Sequence, residues 1–583
     1  MSEENPSQTI SGAERDRRVL ELYEQVLEIE QRLIPTGLHL FGQAPEERAQ
    51  ADMLRMVASF ERPEAGARAL TELAAEGLGF SSYEELLKTA REHELRRREL
   101  EVVDQHVREA IELFLREGAG TAALRLEAAA HVRVEDSRPV FDLLEKISEQ
   151  LKSNHEMDAL LSALRGEYIE PGPGADIVQN PCILPTGRNT HAINPYHVPS
   201  ETAFMRAERS VALLLERHYR EHGRYPRAMA LVLWGLDNIK TQGEAVAQAL
   251  WLLGVRPVRD AMNRATGVEP IPLEKLNRPR IDIVMTVSGI FRDLFGATMG
   301  LLDKAVRVVA MLDEPPEMNY VRGHVLDQLE TDGCSFDEAV VRVFSNAPGN
   351  YGTNVNFMVM DSQWEQDETL GELFVTRKCF AYGRDAKGRA VEGLEARAAM
   401  DRALSRVEAA YQNIDTFEIG ITDVDHYFEY LGGVSKAIEK RARSRPAIYL
   451  SDSLSPQAKV RSLEETVRLE TRTKTLNPKW YEGMLKHGFR GVAEIENHIT
   501  NTFGWSATAD AVDDWVYMEV AKTFVFDEEM LERLRNLNPH SARSLVARLL
   551  EAEGRGFWTV DENTRNRLRD IFAGLEDQLE GIA

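Results

Sequence analysis

Within residues 421–430, ITDVDHYFEY, two carboxylates and an imidazole, Asp423, Asp425 and His426, fall inside four consecutive positions. Carboxylates are ligands for hard divalent cations, which prefer oxygen. An imidazole or carboxylate within hydrogen-bond reach of a reacting N–H can take its proton. If the segment is helical, 423 shares a face with 426 or 427; the alternative is that Thr422 or Asp423 caps a helix. A second constellation lies in residues 461–515, where Trp480, Tyr481, Trp505, Trp515 and Tyr517 are interleaved with Arg468, Arg472, Lys474 and Lys479. The cations could pair with carboxylates, Arg by a bidentate fork; the alternative for the aromatics is an ordinary core. In Asn477-Pro478-Lys479-Trp480 a cation and an indole share one turn.

Other motifs are less directed. Arg188, His191 and His197 lie in residues 166–200, a stretch with six prolines and no sustained period, read as an extended connection. Residues 313–324, DEPPEMNYVRGH, gather Asp313, Glu314, Glu317, Arg322 and His324 after an apolar run. There is no G-x-S-x-G elbow, no H-E-x-x-H, no Walker A sequence and no G-x-G-x-x-G after a strand, so hydrolase, nucleotide and dinucleotide readings lack support.

The elements that must position these residues follow from periodicity. Residues 1–15 read as a disordered tail and 16–165 as a helical region, beginning with an amphipathic helix over 17–34 whose Glu21, Glu24 and Glu28 share a face. Residues 166–224 form the extended loop and a linking helix. Over 225–415 short β-rich runs at 229–235 and 281–289 each end in a glycine-containing turn before a helical pattern, as buried parallel strands do; 305–312 reads as a strand or a helix end. The fold class is α/β, a Rossmann-like parallel-sheet domain flanked by N- and C-terminal helical regions, the latter spanning 416–583. Ligands of such sheets sit beyond the carboxyl ends of the strands, where the loops 236–244 and 288–293 fall.

Composition limits the function classes. A net charge of −25 and a pI near 5.2 argue against a nucleic-acid partner. No apolar run is long enough to span a bilayer. The first residues are neither a secretory signal nor a transit peptide, so a cytoplasmic location is expected. Cys182, Cys334 and Cys379 fit no metal or redox spacing.

Segments across nearly the whole chain resemble the large, porphyrin-binding H subunit of magnesium chelatase and its relative, the cobaltochelatase large subunit. They include residues 16–42, YIEPGPGADIVQNPCILPTGRNTHAINP (168–195), 231–257, 278–295, LDEPPEMNYVRGHVL (312–326), RVFSNAPGNYGTNVN (342–356) and 461–515. FSNAPGNYG and LLEAEGRGFW are more similar to the magnesium branch. The family's subunit is longer, and this sequence resembles its C-terminal half. The other half carries a His-Gly-x-x-Glu segment that the family places at its metal-insertion site, and no such segment occurs here. The resemblance implies ATP-dependent insertion of Mg²⁺ into protoporphyrin IX for (bacterio)chlorophyll synthesis. On the same resemblance ATP is hydrolysed on separate AAA+ motor and adaptor subunits, and the N-terminal half is either supplied by a separate chain or part of a longer form of this one. The alternatives are a cobaltochelatase-like role in cobalamin synthesis and a non-catalytic tetrapyrrole-binding or motor-docking module. On this reading Asp423, Asp425 and His426 are catalytic, with Asp423 and Asp425 on the metal. Arg188, His191, Arg472, Lys474, Lys479, Trp480 and Trp505 bind the ring and its propionates. The residues after Tyr430 depart from the acidic continuation of the close magnesium relatives.

Overall fold

A computed structural model describes Ile29 and residues 37–582, apart from 63–64, 91–93, 175–176, 179, 192, 367, 386, 417 and 453–458. The tail and the Glu21, Glu24 and Glu28 face lie outside the described residues. The chain divides into two compact units, one essentially residues 39–191 and the other 192–583.

The first unit is helical. Its long helices Glu94–Glu117 and Val134–Lys152 are amphipathic. In the second of them Val140, Phe141, Leu144, Ile147 and Leu151 recur at the three-to-four spacing and are buried. Phe141 stacks on Phe114 with ring centroids 5.9 Å apart. The proline-rich connection is less extended than expected: β1 (Pro171–Pro173) pairs in parallel with β2 (Asn189–His191).

The second unit is built on an eight-stranded sheet. After the helix Glu201–His222, capped by Ser200 and ended by Gly223 at φ 71°, the chain enters β3 (Ala228–Leu233). A side hairpin, β4 (Val255–Arg259) with β5 (Ala265–Pro270), precedes β6 (Asp282–Val287). Then come β7 (Val343–Ser345), β8 (Phe380–Arg384), β9 (Ala390–Glu395), β10 (Ala409–Ile414), β11 (Ala447–Asp452) and β12 (Lys459–Ser462). The order is β12-β11-β10-β3-β6-β7-β8-β9, with β11, β10, β3, β6 and β7 parallel and β12, β8 and β9 antiparallel at the two sides. Every residue of β3, β6 and β10 is buried, as expected of strands covered on both faces. Residues 305–312 belong almost wholly to the helix Gly296–Met311, which packs Ala305, Val306, Val309 and Ala310 into the core beside the sheet; their apolar density reflects a helix buried over most of its surface. The sheet continues past the expected domain end at 415: a strand after the helix Gly433–Ala442 extends the parallel sheet beside β10, so β11 and β12 lie within 416–583. Past β12 the region is helical, from Leu463 through Glu562–Leu579.

At the amino end of β6, Asp282 accepts two hydrogen bonds from Arg342 at 2.9 and 3.0 Å and one from His324 at 2.8 Å. Arg280 forks onto Glu314 at 2.7 and 2.8 Å, and Arg322 donates to the Leu312 carbonyl at 2.7 Å. The DEPPEMNYVRGH motif is thus a lock on the end of the sheet away from the strands' carboxyl termini.

Candidate functional site

From the carboxyl end of β10 the chain runs through residues 415–424, and two helices clamp this loop. Glu470 ends the helix Leu463–Glu470. It accepts the Ile421 and Thr422 amides at 2.9 Å each and the Thr422 hydroxyl at 2.7 Å. A Cβ on Gly420 would lie 2.1 Å from Glu470 Oε1, so only glycine allows that approach. From the helix Phe489–Ala509, Trp505 donates to the Ile421 carbonyl and Asn501 to that of Thr422, both at 2.9 Å.

The clamp delivers Asp423 to Lys474 Nζ and His498 Nε2, which bond to its two oxygens; the Gly420 amide also donates to it. Burial opposes ionisation, but the His498 and Lys474 charges outweigh it and hold the carboxyl well below its usual range. Two expectations are corrected here. Asp423 does not share a helical face with His426, because the helix begins at Asp425 with Val424 at the cap and no capping side chain. Lys474 is buried and committed to Asp423, so it is an anchor for the loop rather than an exposed cation.

Asp425 and His426 stand on the other side of the turn. Asp425 Oδ2 accepts from Asn356 Nδ2 at 2.6 Å. The His426 side chain is 61% exposed, and its Nδ1 lies 2.8 Å from Glu429 Oε2, which is almost wholly buried. Glu429 also accepts the Thr353 amide, the Thr353 hydroxyl at 3.0 Å and the Asn354 amide at 2.9 Å. Burial works to raise its pKa, yet the His426 and Thr353 hydrogen bonds bring it below the ordinary value. The hydrogen bond to Glu429 in turn raises the His426 pKa. A buried carboxylate orienting an exposed imidazole through Nδ1–H leaves Nε2 to exchange a proton with a ligand. The next turn, Phe428–Gly432, is a π-helix, as is Thr471–Thr475 carrying Lys474; such turns recur at functional sites.

Behind these groups, Trp234 at the end of β3 donates to Gln412 at 3.2 Å and packs on Tyr430 with centroids 4.6 Å apart. Lys378 donates to the Val287 carbonyl at 2.8 Å and lies 4.1 Å from the Tyr430 ring centroid; burial lowers its pKa well below the lysine range. Lys240 pairs with Asp415 at 2.9 Å. The chemistry-bearing side chains therefore gather at the carboxyl ends of the parallel strands.

The aromatic residues serve differently from the slot expected for them. Trp480 and Trp505 are 1% and 0% exposed, Trp480 packing edge-on to His498 with centroids 4.5 Å apart. In this structure they back the Asp423 loop and present no open face. Arg472 is exposed and stacks over Trp515, 4.3 Å from its centroid. Trp515 Nε1 and the Arg468 fork both bond Asp513. Lys479 is exposed in the first turn of Pro478–Leu485. Arg188 and His191 are carried on the first unit, where Arg188 donates to the Leu184 carbonyl at 2.9 Å and His191 pairs with Pro173 in the short sheet. No group of three or more His, Cys, Asp or Glu side chains among the described residues has metal-binding geometry.

The sequence matches the CobN/Magnesium Chelatase family over residues 2–565. The chain belongs to that family. It is 42% identical over 597 residues to the chloroplastic magnesium-chelatase subunit ChlH of Oryza sativa subsp. indica, covering 98% of this chain and 43% of the relative. To the aerobic cobaltochelatase subunit CobN of a Sinorhizobium species it is 36% identical over 419 residues, 70% of this chain and 32% of the relative. The catalytic subunit of cobaltochelatase from Mycobacterium tuberculosis superposes with a TM-score of 0.89 at 32% identity, covering 97% of this chain and 47% of that one. The chain thus spans about half the length of the relatives it matches.

Within this family member, sequence reasoning missed Glu429, Glu470, His498, Lys378 and Asp415. One signal was available. The helix Phe489–Ala509 is buried on most sides yet carries His498, Thr500, Asn501, Thr502, Ser506 and Thr508 among its buried residues, and buried polar side chains need partners.

Proposed function

We propose that this chain is a magnesium chelatase H-type, porphyrin-binding subunit or half-subunit, taking part in insertion of Mg²⁺ into protoporphyrin IX. The observation that carries the magnesium assignment is 42% identity over 98% of the chain to a magnesium-chelatase subunit, against 36% over 70% to an aerobic cobaltochelatase subunit. ATP is hydrolysed on AAA+ motor and adaptor subunits, consistent with the absence of a Walker A sequence here. No helix among the described residues is long and apolar enough to cross a membrane, and a cytoplasmic location remains part of the proposal.

Metallation poses two physical tasks: Mg²⁺ must shed tightly held water, and two pyrrole N–H groups must lose protons. His426, oriented by Glu429, is the base that takes a pyrrole proton at Nε2. Asp425 offers the carboxylate oxygen for the incoming ion. Asp423, with both oxygens engaged by Lys474 and His498, sets the position of that turn. Arg472 and Lys479 pair with propionates. The His-Gly-x-x-Glu segment of the family comes from a further chain or segment.

The cobaltochelatase reading has one specific support, the TM-score of 0.89 to a cobaltochelatase catalytic subunit. Quenching of tryptophan fluorescence by protoporphyrin IX and by a hydrogenobyrinic-type corrinoid separates the two. Preferential quenching by the porphyrin is expected; preference for the corrinoid would move the chain to the cobalt branch. With ATP and motor subunits but no further large chain, no Mg²⁺ insertion is expected. Steady insertion under those conditions would refute the need for the other half.

A further inference from the structure

The carboxyl ends of β3, β10 and β11 enclose polar side chains that the chemistry above does not use. Asp237, two residues into the helix Gly235–Lys240 that follows β3, is 2% exposed, and neither of its carboxyl oxygens has a hydrogen-bond partner of good geometry. Asn413 on β10 lies beside it, yet Asn413 Nδ2 makes no hydrogen bond of good geometry. Gln248, on the helix Glu244–Leu253, is fully buried with Oε1 unpartnered. Its Nε2 is 3.5 Å from Glu244 Oε1. Tyr411, two positions before Asn413 and on the same strand face, donates to Asn413 Oδ1 at 3.1 Å. Ser451 of β11, in register with Asn413, is buried beside the Tyr411 hydroxyl, and its own hydroxyl makes no hydrogen bond of good geometry.

A buried polar atom without a partner costs free energy, and native proteins meet that cost with ordered water where the surroundings offer two to four polar contacts. The set here mixes an amide donor, hydroxyls and carbonyl or carboxyl acceptors. Water, which both donates and accepts, complements such a set. A bare cation would meet the Asn413 amide hydrogens. The charged and titratable groups facing Asp237 are Asp415, Glu244 and Lys240, with Tyr411 and Tyr427 also near. Lys240, which favours a charge on Asp237, is shared with Asp415, so it offsets the burial and the two neighbouring carboxylates only in part.

We propose that Asp237, Gln248, Asn413 and Ser451 form an enclosed site for ordered water in which Asp237 is held as the neutral carboxylic acid, a proton-holding group behind the carboxyl-end cluster. Burial, together with the Asp415 and Glu244 charges, pushes its pKa well above the carboxylate range, in the direction the geometry requires. The site depends on neither the metal nor the tetrapyrrole, so its failure and that of the chelatase reading are distinguishable.

Infrared difference spectroscopy at neutral pH tests the protonation. Wild-type protein minus Asp237→Asn should show the carbonyl stretch of a protonated carboxylic acid, shifted in D₂O. Absence of that band overturns the proposal. Asn413→Ala, which keeps Asp237, should move the band if the amide faces the acid, and an unmoved band counts against the site. Should Asp237→Asn fail to fold, the D₂O-sensitive band of wild type and its displacement in Asn413→Ala carry the test. Because the folded-state pKa is raised, stability linked to Asp237 is fully present below its unfolded pKa and is lost as pH rises through the folded value. Wild type should therefore lose stability relative to Asp237→Asn as pH rises; the opposite trend means an ionised Asp237. A crystal structure should place a water oxygen against Asp237 and Gln248, and a metal ion or a dry void there overturns the water assignment.

Discussion

The two ends of the same parallel sheet are built on opposite principles. At the amino end of β6, Asp282, Arg342 and His324 close on one another, and the Asp282 carboxylate is matched by a fork and an imidazole. At the carboxyl ends, an exposed imidazole, a half-exposed carboxylate and several buried polar atoms without partners are held in place by clamped loops. A saturated ion cluster can only hold structure. Groups left with unused valence, at the end where open α/β sheets take their ligands, are the ones free to do chemistry. The motif DEPPEMNYVRGH and the segment ITDVDHYFEY are similarly rich in charge, yet the fold assigns them to different ends and hence to different work.

The largest effect should come from the saturated end. Arg342→Ala leaves the Asp282 charge buried with only His324 and should lower unfolding free energy by about 3–5 kcal/mol in urea titration. A loss under 1 kcal/mol would mean that this cluster is not the lock described.

Asp423→Asn should cost about 1.5–3 kcal/mol, the scale of hydrogen bonds to charged groups, because Lys474 and His498 lose their common partner. Asp423 and Asp282 both have folded pKa values below the ordinary one. Their contribution is therefore present above the unfolded pKa of about 3.9 and is lost as pH falls through the folded values. The acid limb of a stability-versus-pH curve should flatten in Asp423→Asn; an unchanged limb would break the anchor assignment.

His426→Gln should leave stability within about 0.5 kcal/mol of wild type while slowing metallation by a reconstituted complex about 100-fold. Since Glu429 raises the His426 pKa, the wild-type rate should climb with pH through a midpoint above the ordinary histidine value of about 6.5. Glu429→Gln should shift that midpoint down. Parallel loss of stability and rate in His426→Gln would make it a structural residue.

Smallest is Arg472→Ala, which removes an exposed cation–π contact with Trp515 worth about 0.5–1 kcal/mol. If Arg472 meets a propionate, porphyrin affinity should fall further than stability does, and Arg472→Lys should recover only part of it. Equal changes in calorimetric affinity and melting would remove it from the site.

Much of the architecture was legible because burial on both faces forces apolar strands: residues 229–235 cover all but the first residue of β3, and 281–289 contain β6. The helix Gly296–Met311 was ambiguous at 305–312 because a helix buried over most of its surface lacks a polar stripe. Asp425 and His426 were legible from residue type. Their supports were not, since Glu429 acts through Thr353 and Asn354, and Asp423 through Lys474 and His498, contacts that join positions more than fifty residues apart. The porphyrin slot was misread at Trp480 and Trp505 for a related reason: the indoles that could face a ring are the same ones needed to hold the loop, and sequence alone does not say which they do.

On the proposed function, metallation chemistry resides at the carboxyl end, with His426 as the base. This is tested most directly by reconstituting the complex with motor subunits, ATP and the N-terminal half of the family. Mg-protoporphyrin formation would then be followed by fluorescence for wild type and for His426→Gln at matched porphyrin occupancy. Unchanged porphyrin binding and a rate reduced about 100-fold are expected in the variant. An undiminished rate at equal occupancy would contradict that reading.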